Sequence, residues 1–311
     1  MTGNAAALAT AILWTVTAIT FEYAGKRIGA MALNFLRLAM GAIFLGIYGL
    51  AVHGSFAPFA APASTWAWMG ASGLVGLVLG DLFLFQAFID IGARISMLIY
   101  ALAPAFTAII GRFALGERLP PLSIVGMGLT LVGIAAAVLG RPAQEKESTE
   151  ADSPGGSGSA PPKTKVLRSA ARGTLFALLA ALGQAGGLIL SKIGAPQMDA
   201  FSGTQMRVLV AVAAFAVVLA VGGGWRGVVA SLRDRKAAGG LVVGSFFGPF
   251  LGVSLSLAAV QGADAGVAAS IMSLVPVLII GPSVILFKEK LRLLEVLGAI
   301  VAVAGTALLF I

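Results

Sequence analysis

Apolar runs of membrane-spanning length, separated by short breaks of charge, proline or glycine, recur along this chain and leave few folds open to it. A bilayer core of about 30 Å takes roughly 20 apolar residues of helix, and only helices or closed barrels satisfy their backbone groups there. The runs predict helices near 4–23, 31–52, 65–87, 92–115, 120–140, 171–190, 200–222, 239–260, 265–287 and 291–311. Hydrophobic residues make up 59% and charged residues 11% of the 311 positions, against about 45–50% and about 25% in soluble domains. The expected fold class is an all-α membrane protein of ten transmembrane helices, with no room for a soluble catalytic domain of ordinary size. The opening MTGNAAALATAILW lacks the basic region of a secretory signal and reads as a retained first helix.

The chain also repeats itself. LAPAFTAIIGRFALGERL, residues 102–119, returns 172 positions later as LVPVLIIGPSVILFKEKL, with Leu102, Pro104, Glu117 and Leu119 matched by Leu274, Pro276, Glu289 and Leu291. Gly126 and Gly133 meet Gly298 and Gly305, while Ser72, Gly76 and Gly80 meet Gly244, Gly248 and Gly252. Such small-xxx-small stripes let membrane helices approach closely. Between the copies, residues 141–170 are rich in Pro, Gly, Ser and charge, the composition of a flexible linker. The expected organisation is a five-helix repeat over 1–140, a linker over 141–170 and a second repeat over 171–311. Five is odd, so the second copy starts on the opposite side of the membrane and the repeats are inverted (5+5). Inverted repeats with matched Pro- and Gly-interrupted helices are the usual build of secondary transporters. Pro104 and Pro276 then read either as paired kinks with a gating role or as tolerated irregularities.

Absences narrow the chemistry. The chain has no cysteine and one histidine, His53, which removes thiolate, iron–sulfur and multi-histidine metal sites. No nucleophile elbow or phosphate-cradling loop occurs. No catalytic residue, cofactor or metal is expected. The net charge of +8 fits basic loops facing an anionic membrane surface better than nucleic acid.

Two repeats, each with a Gly-rich third helix, a proline in the fourth, a GERL or KEKL turn after it and a closing Gly-rich helix (GMGLTLVGIAAAVL, LGAIVAVAGTALLF), resemble the EamA-type transporters of the drug/metabolite transporter superfamily. The resemblance covers nearly the whole chain and extends to YddG-like amino-acid exporters, with aromatic solutes prominent. It implies a central cavity lined by the first, third, fourth, sixth, eighth and ninth helices. On those helices, Trp14, Thr17, Gln86, Ser96, Met97, Tyr100, Gln184, Ser254, Met272 and Ser273 are the cavity candidates. Gly76, Gly80, Gly248 and Gly252, with the two prolines, are candidates for packing and gating. A mostly apolar pocket with few polar groups suits an amphiphilic solute.

Glu22, Arg37 and Asp81 are charged positions within or at the ends of apolar runs, where charge is costly and usually paired or functional. They read as an ion pair, as a coupling or gating element, or as a substrate contact. Arg207 corresponds to Arg37 after a short gap, whereas Asp81 corresponds to Val253. Of the 21 lysines and arginines, all but Arg37, Arg112, Arg118, Lys192 and Arg207 fall after odd-numbered helices. The positive-inside rule puts that side in the cytoplasm and both termini outside, whereas the family resemblance implies termini inside.

The expected function is export of small metabolites, amino acids foremost, by alternating access in a bacterial inner membrane, as a monomer or weak homodimer. The expected partners are a small-molecule substrate and the bilayer. Drugs, nucleotide sugars and polyamines are alternative solutes; a lipid translocase or a non-transporting membrane assembly protein are alternative roles.

Overall fold

The computed structural model describes residues 2–140, 163–278, 282 and 293–308, and every element among them is helical. In chain order these are α1 (Gly3–Ile28), α2 (Ala30–His53), α3 (Ala63–Ser72), a π-helical segment (Gly73–Gly80) and α4 (Asp81–Tyr100). Then come α5 (Ala103–Ala114), α6 (Pro121–Gly140), α7 (Lys163–Gly194), α8 (Ala200–Val221), α9 (Trp225–Ser231) and α10 (Arg235–Ser245). A second π-helical segment (Phe246–Gly252) follows, then α11 (Val253–Gly262), α12 (Ala265–Met272), α13 (Val275–Leu278) and α14 (Leu293–Ala307). Among the described residues, six stretches are long and apolar enough to cross a membrane, and 103–114, 121–136 and 293–307 are shorter apolar helices.

Packing follows the logic of lipid. Large side chains such as Ile12, Ile43, Ile47, Phe113, Val132, Leu175, Val217 and Ile300 face outward, while Ala6, Ala7, Ala11, Ala177, Ala180, Ala181 and Ala185 are buried. Between membrane helices the gain comes from close van der Waals approach, which small residues permit. Five buried hydroxyls are satisfied inside their own helices: Thr10, Thr15, Thr107, Thr130 and Thr306 each donate to the carbonyl four residues back. A hydroxyl paired in this way needs no partner from lipid.

Helix α6 packs along α14 in an antiparallel and reciprocal way. A Cβ on Gly133 would stand 2.6 Å from the Gly298 carbonyl, and one on Gly305 would stand 2.8 Å from the Gly126 carbonyl. These are matched positions of the two sequence copies, each touching the other. The Thr130 and Thr306 hydroxyls meet across the same seam at 3.3 Å.

Several boundaries differ from the sequence expectation. The π-helical segments occupy nearly the same register, because 73–80 becomes 245–252 after 172 positions. The wider turn at 246–252 also accommodates Pro249, which has no backbone N–H to donate. Residues Asp81–Tyr100 are helical with no non-helical residue near 90, but they do not form one straight helix. The chain reverses: Gly80 packs on Gly183 and Asp90 beside Gly173, yet Gly111 of α5 lies beside Ile189. The stretch expected as 92–115 is interrupted at 101–102, and the run expected as 265–287 is interrupted at Ser273–Leu274. Pro104 therefore stands in the first turn of α5, where its missing N–H breaks no helical hydrogen bond. It starts a helix, where a kink within a continuous one was expected.

Candidate functional site

Each π-helical segment receives the first helix of the other half. Gly76 lies against the Gly187 backbone, 3.4 Å from an added Cβ, and Gly80 lies 3.7 Å from the Gln184 nitrogen on the same measure. In the other crossing, a Cβ on Gly248 would stand 2.8 Å from Thr17 and one on Gly252 would stand 2.6 Å from the Trp14 ring nitrogen. Gly186 and Gly187 were not anticipated as contact points. Their spacing with Gly183 in GQAGG was the available signal. Ser72 fastens this crossing by donating to the Gly187 carbonyl at 2.6 Å.

At the centre, the Arg37 guanidinium donates to the Asp81 carboxylate, and its Nε donates to Asn34 Oδ1 at 2.9 Å. Both side chains are largely buried, 15% and 19% exposed. The Phe21 ring lies 5.9 Å from the same guanidinium. Tyr100 is within electrostatic reach of Asp81 and Arg37, and Arg207 is within reach of Asp81. Four of these residues, drawn from α2, α4 and α8, thus share one polar centre inside an apolar bundle. Sequence reasoning placed Arg207 only as the repeat of Arg37. Its arrival beside the first-half π-helical segment depends on Gly73, whose added Cβ would collide with the Arg207 backbone.

The other candidates scatter around this centre. Trp14 packs with Met272 in one apolar cluster and with Ala101, Leu274 and Val275 in a second. Thr17, Ser254 and Ser273 donate to carbonyls of their own segments, those of Leu13, Phe250 and Ser270. Gln86 donates to Asp90 at 3.1 Å, away from the centre, and Asp90 also receives Arg172. Ser96 and Pro104 are buried. The side chains of Glu22, Met97 and Pro276 lie outside what the structure describes.

Two cavities open at the face where α2 and α7 end. One of about 180 Å³ is bounded by Tyr48, His53, Phe56, Phe201 and Gln205; the other, of about 250 Å³, is bounded by Pro62, Thr65, Pro196 and Met198. Neither is lined by Trp14, Tyr100 or Met272.

The same face carries a closed junction. Glu117, from the repeated GERL turn, accepts from Lys192 Nζ at 2.6 Å and from the Ala265 backbone N–H, at the start of α12, at 3.0 Å. Lys192 also donates to the Ala263 carbonyl at 2.6 Å. A carboxylate at a helix start is favoured by the unpaired N–H groups and the helix dipole. Beside it, a Cβ on Gly266 would stand 2.7 Å from Ala108 Cβ, so α5 and α12 touch. On the opposite face, Arg27 pairs with Asp234 at 2.7 Å.

The EamA-like transporter family model matches residues 1–139 and 171–311. No curated protein matches the chain. A solved structure described as "Crystal structure of protein" is similar over 98% of this chain and 96% of its own, with a TM-score of 0.69 and 19% identity. At that identity the likeness shows a shared fold.

Proposed function

The chain belongs to the EamA-like transporter family, and on that premise we propose that it exports small metabolites, amino acids with aromatic or apolar side chains foremost, by alternating access. In this reading ten helices form two inverted five-helix halves, 1–140 and 171–311, joined by a linker over 141–170 in a bacterial inner membrane. The observation that carries it is reciprocity. Gly133 meets Gly298 as Gly305 meets Gly126, and α7 enters one π-helical segment as α1 enters the other. This exchange supports a pseudo-twofold axis in the membrane plane, which would give a carrier two symmetry-related states of similar energy.

The junction of Glu117, Lys192 and the α12 start closes one face in the described state. Under the repeat operation an equivalent contact belongs to the opposite face, and one forms as the other parts. The positive-inside rule orients the Arg27–Asp234 face to the cytoplasm. Trp14 and Met272 share one cluster, and sulfur–aromatic contacts contribute about 0.3–1.5 kcal/mol, so flat or apolar solutes are modestly favoured. Flux of aromatic and small polar amino acids into proteoliposomes tests the reading, with wild type beside Trp14→Ala, Tyr100→Ala and Met272→Ala. Faster aromatic flux that falls in the variants is expected. Equal rates for every amino acid in all four proteins would overturn the substrate assignment.

A further inference from the structure

The repeat is broken at the polar centre. Arg37 and Arg207 are counterparts, each the eighth residue of its helix, about 10 Å along it at 1.5 Å per residue. In the inverted arrangement they enter from opposite faces. Arg37 is matched by Asp81, but the counterpart of Asp81 is Val253. The Arg37 guanidinium is already engaged by Asn34 and Asp81. Arg207 is 3% exposed, and its Nε and Nη1 have no hydrogen-bond partner among the described residues. Its Nη2 lies 3.6 Å from the position of a Cβ on Gly76, alongside the α7 crossing. The absent side chain at Gly76 leaves the guanidinium its space.

An arginine in a protein keeps its charge. Burying that charge without hydrogen-bond partners is costly, and charges inside membrane bundles mark pathways for ligands or ions. Arg37 contacts Asp81 and Arg207 lies within electrostatic reach of it, so among the described residues this centre carries one excess positive charge, which one bound anion would neutralise. A carboxylate or phosphate matches the guanidinium fork, since both accept two parallel N–H bonds.

We infer that Arg207 anchors an anionic group of the transported solute, with Arg37 and Asp81 as the fixed pair beside it. The inference rests on the transporter reading and narrows its substrate class to solutes bearing a carboxylate or a phosphate. Amines and neutral drugs without an oxyanion fall outside it.

The test is calorimetric binding to purified protein in lipid nanodiscs with four probes: L-phenylalanine, phenylalaninamide, phenethylamine and phenyl phosphate. Expected for wild type is binding of L-phenylalanine about 10–100-fold tighter than of its amide or of phenethylamine, the range of one charge-assisted hydrogen bond. Arg207→Gln should remove that preference by weakening L-phenylalanine binding, with an unchanged helical circular-dichroism spectrum showing that the variant has kept its fold. Arg207→Lys should restore part of the preference. If phenyl phosphate alone binds, in an Arg207-dependent way, the anion site stands and the amino-acid assignment falls. If L-phenylalanine and its amide bind equally to wild type, or neither anionic probe binds, the inference is overturned; amide flux in proteoliposomes would then leave the transporter reading intact. Should Arg207→Gln not be recoverable, the acid-to-amide ratio of wild type decides.

Discussion

Asp81 faces two arginines, so the three charges should respond unequally to removal. At about 4 Å and an effective dielectric constant near 20, one ion pair is worth about 4 kcal/mol. Breaking a buried pair costs about 3–5 kcal/mol, because a charge is left without its partner. Side-chain exposures of 15% and 19% put Arg37 and Asp81 in that regime. Arg37→Met leaves Asp81 within reach of Arg207 and should cost about 3 kcal/mol, the low end of the buried-pair range. Asp81→Asn leaves both guanidiniums without their acid and should cost about 5 kcal/mol, the high end. The double variant retains one unmatched guanidinium and should fall between the two. Reversible SDS unfolding of the four purified proteins measures the order. If Arg37→Met destabilises as much as Asp81→Asn, or if Asp81→Asn is neutral, the two arginines do not share the acid.

Three other outcomes follow from contacts further out. Gly305→Leu should destabilise by about 1–3 kcal/mol through overpacking, since its Cβ would stand 2.8 Å from the Gly126 carbonyl; Gly128→Leu, with nothing within 4 Å, is the control in the same unfolding assay. Glu117→Gln should cost about 1–3 kcal/mol by weakening the partner of the largely buried Lys192, and Lys192→Met on that background should recover part of the loss. The Ala237 backbone N–H, and then the Arg27 guanidinium, hold the Asp234 carboxyl below the usual carboxylate range. A lowered folded pKa contributes stability above the unfolded value that is lost as pH falls through the folded one. Unfolding from pH 7 down to pH 3 should therefore show a smaller acid-side decline for Asp234→Asn than for wild type.

The fold was legible in the sequence where one physical cause governed it. Apolar run length set the helices, and the copied glycines fixed which ones could approach. The seam of α6 and α14 uses Gly126, Gly133, Gly298 and Gly305, all visible as matched positions. The interruptions were not legible. Apolar composition is the same on both sides of residues 101–102 and 273–274, so hydropathy cannot tell a kinked helix from two short ones. The π-helical segments were hidden for a similar reason, since a wider turn changes the backbone phase without changing residue type. At the centre, Arg37 and Asp81 were readable as charges inside apolar runs. The place of Arg207 was not, because it depends on a helix of one half crossing the third helix of the other. Glu117 announced itself through its repeated turn, but its partners, Lys192 and the Ala265 N–H, lie 75 and 148 residues away along the chain.

Alternating access between inverted halves is the central claim, and the chain's lack of cysteine makes a direct test possible. A Cβ on Gly266 stands 2.7 Å from Ala108 Cβ, at the closed face. Disulfides hold Cβ atoms about 3.8 Å apart, so Ala108→Cys with Gly266→Cys should bridge α5 to α12 after a shift of about 1 Å. The measurement is solute flux in proteoliposomes containing this double variant, oxidised and then reduced, with each single-cysteine variant alongside. The account predicts that oxidation stops flux in the double variant alone and that reduction restores it. Full flux through the cross-linked protein would contradict it, because transport would then proceed without the α5–α12 contact ever parting.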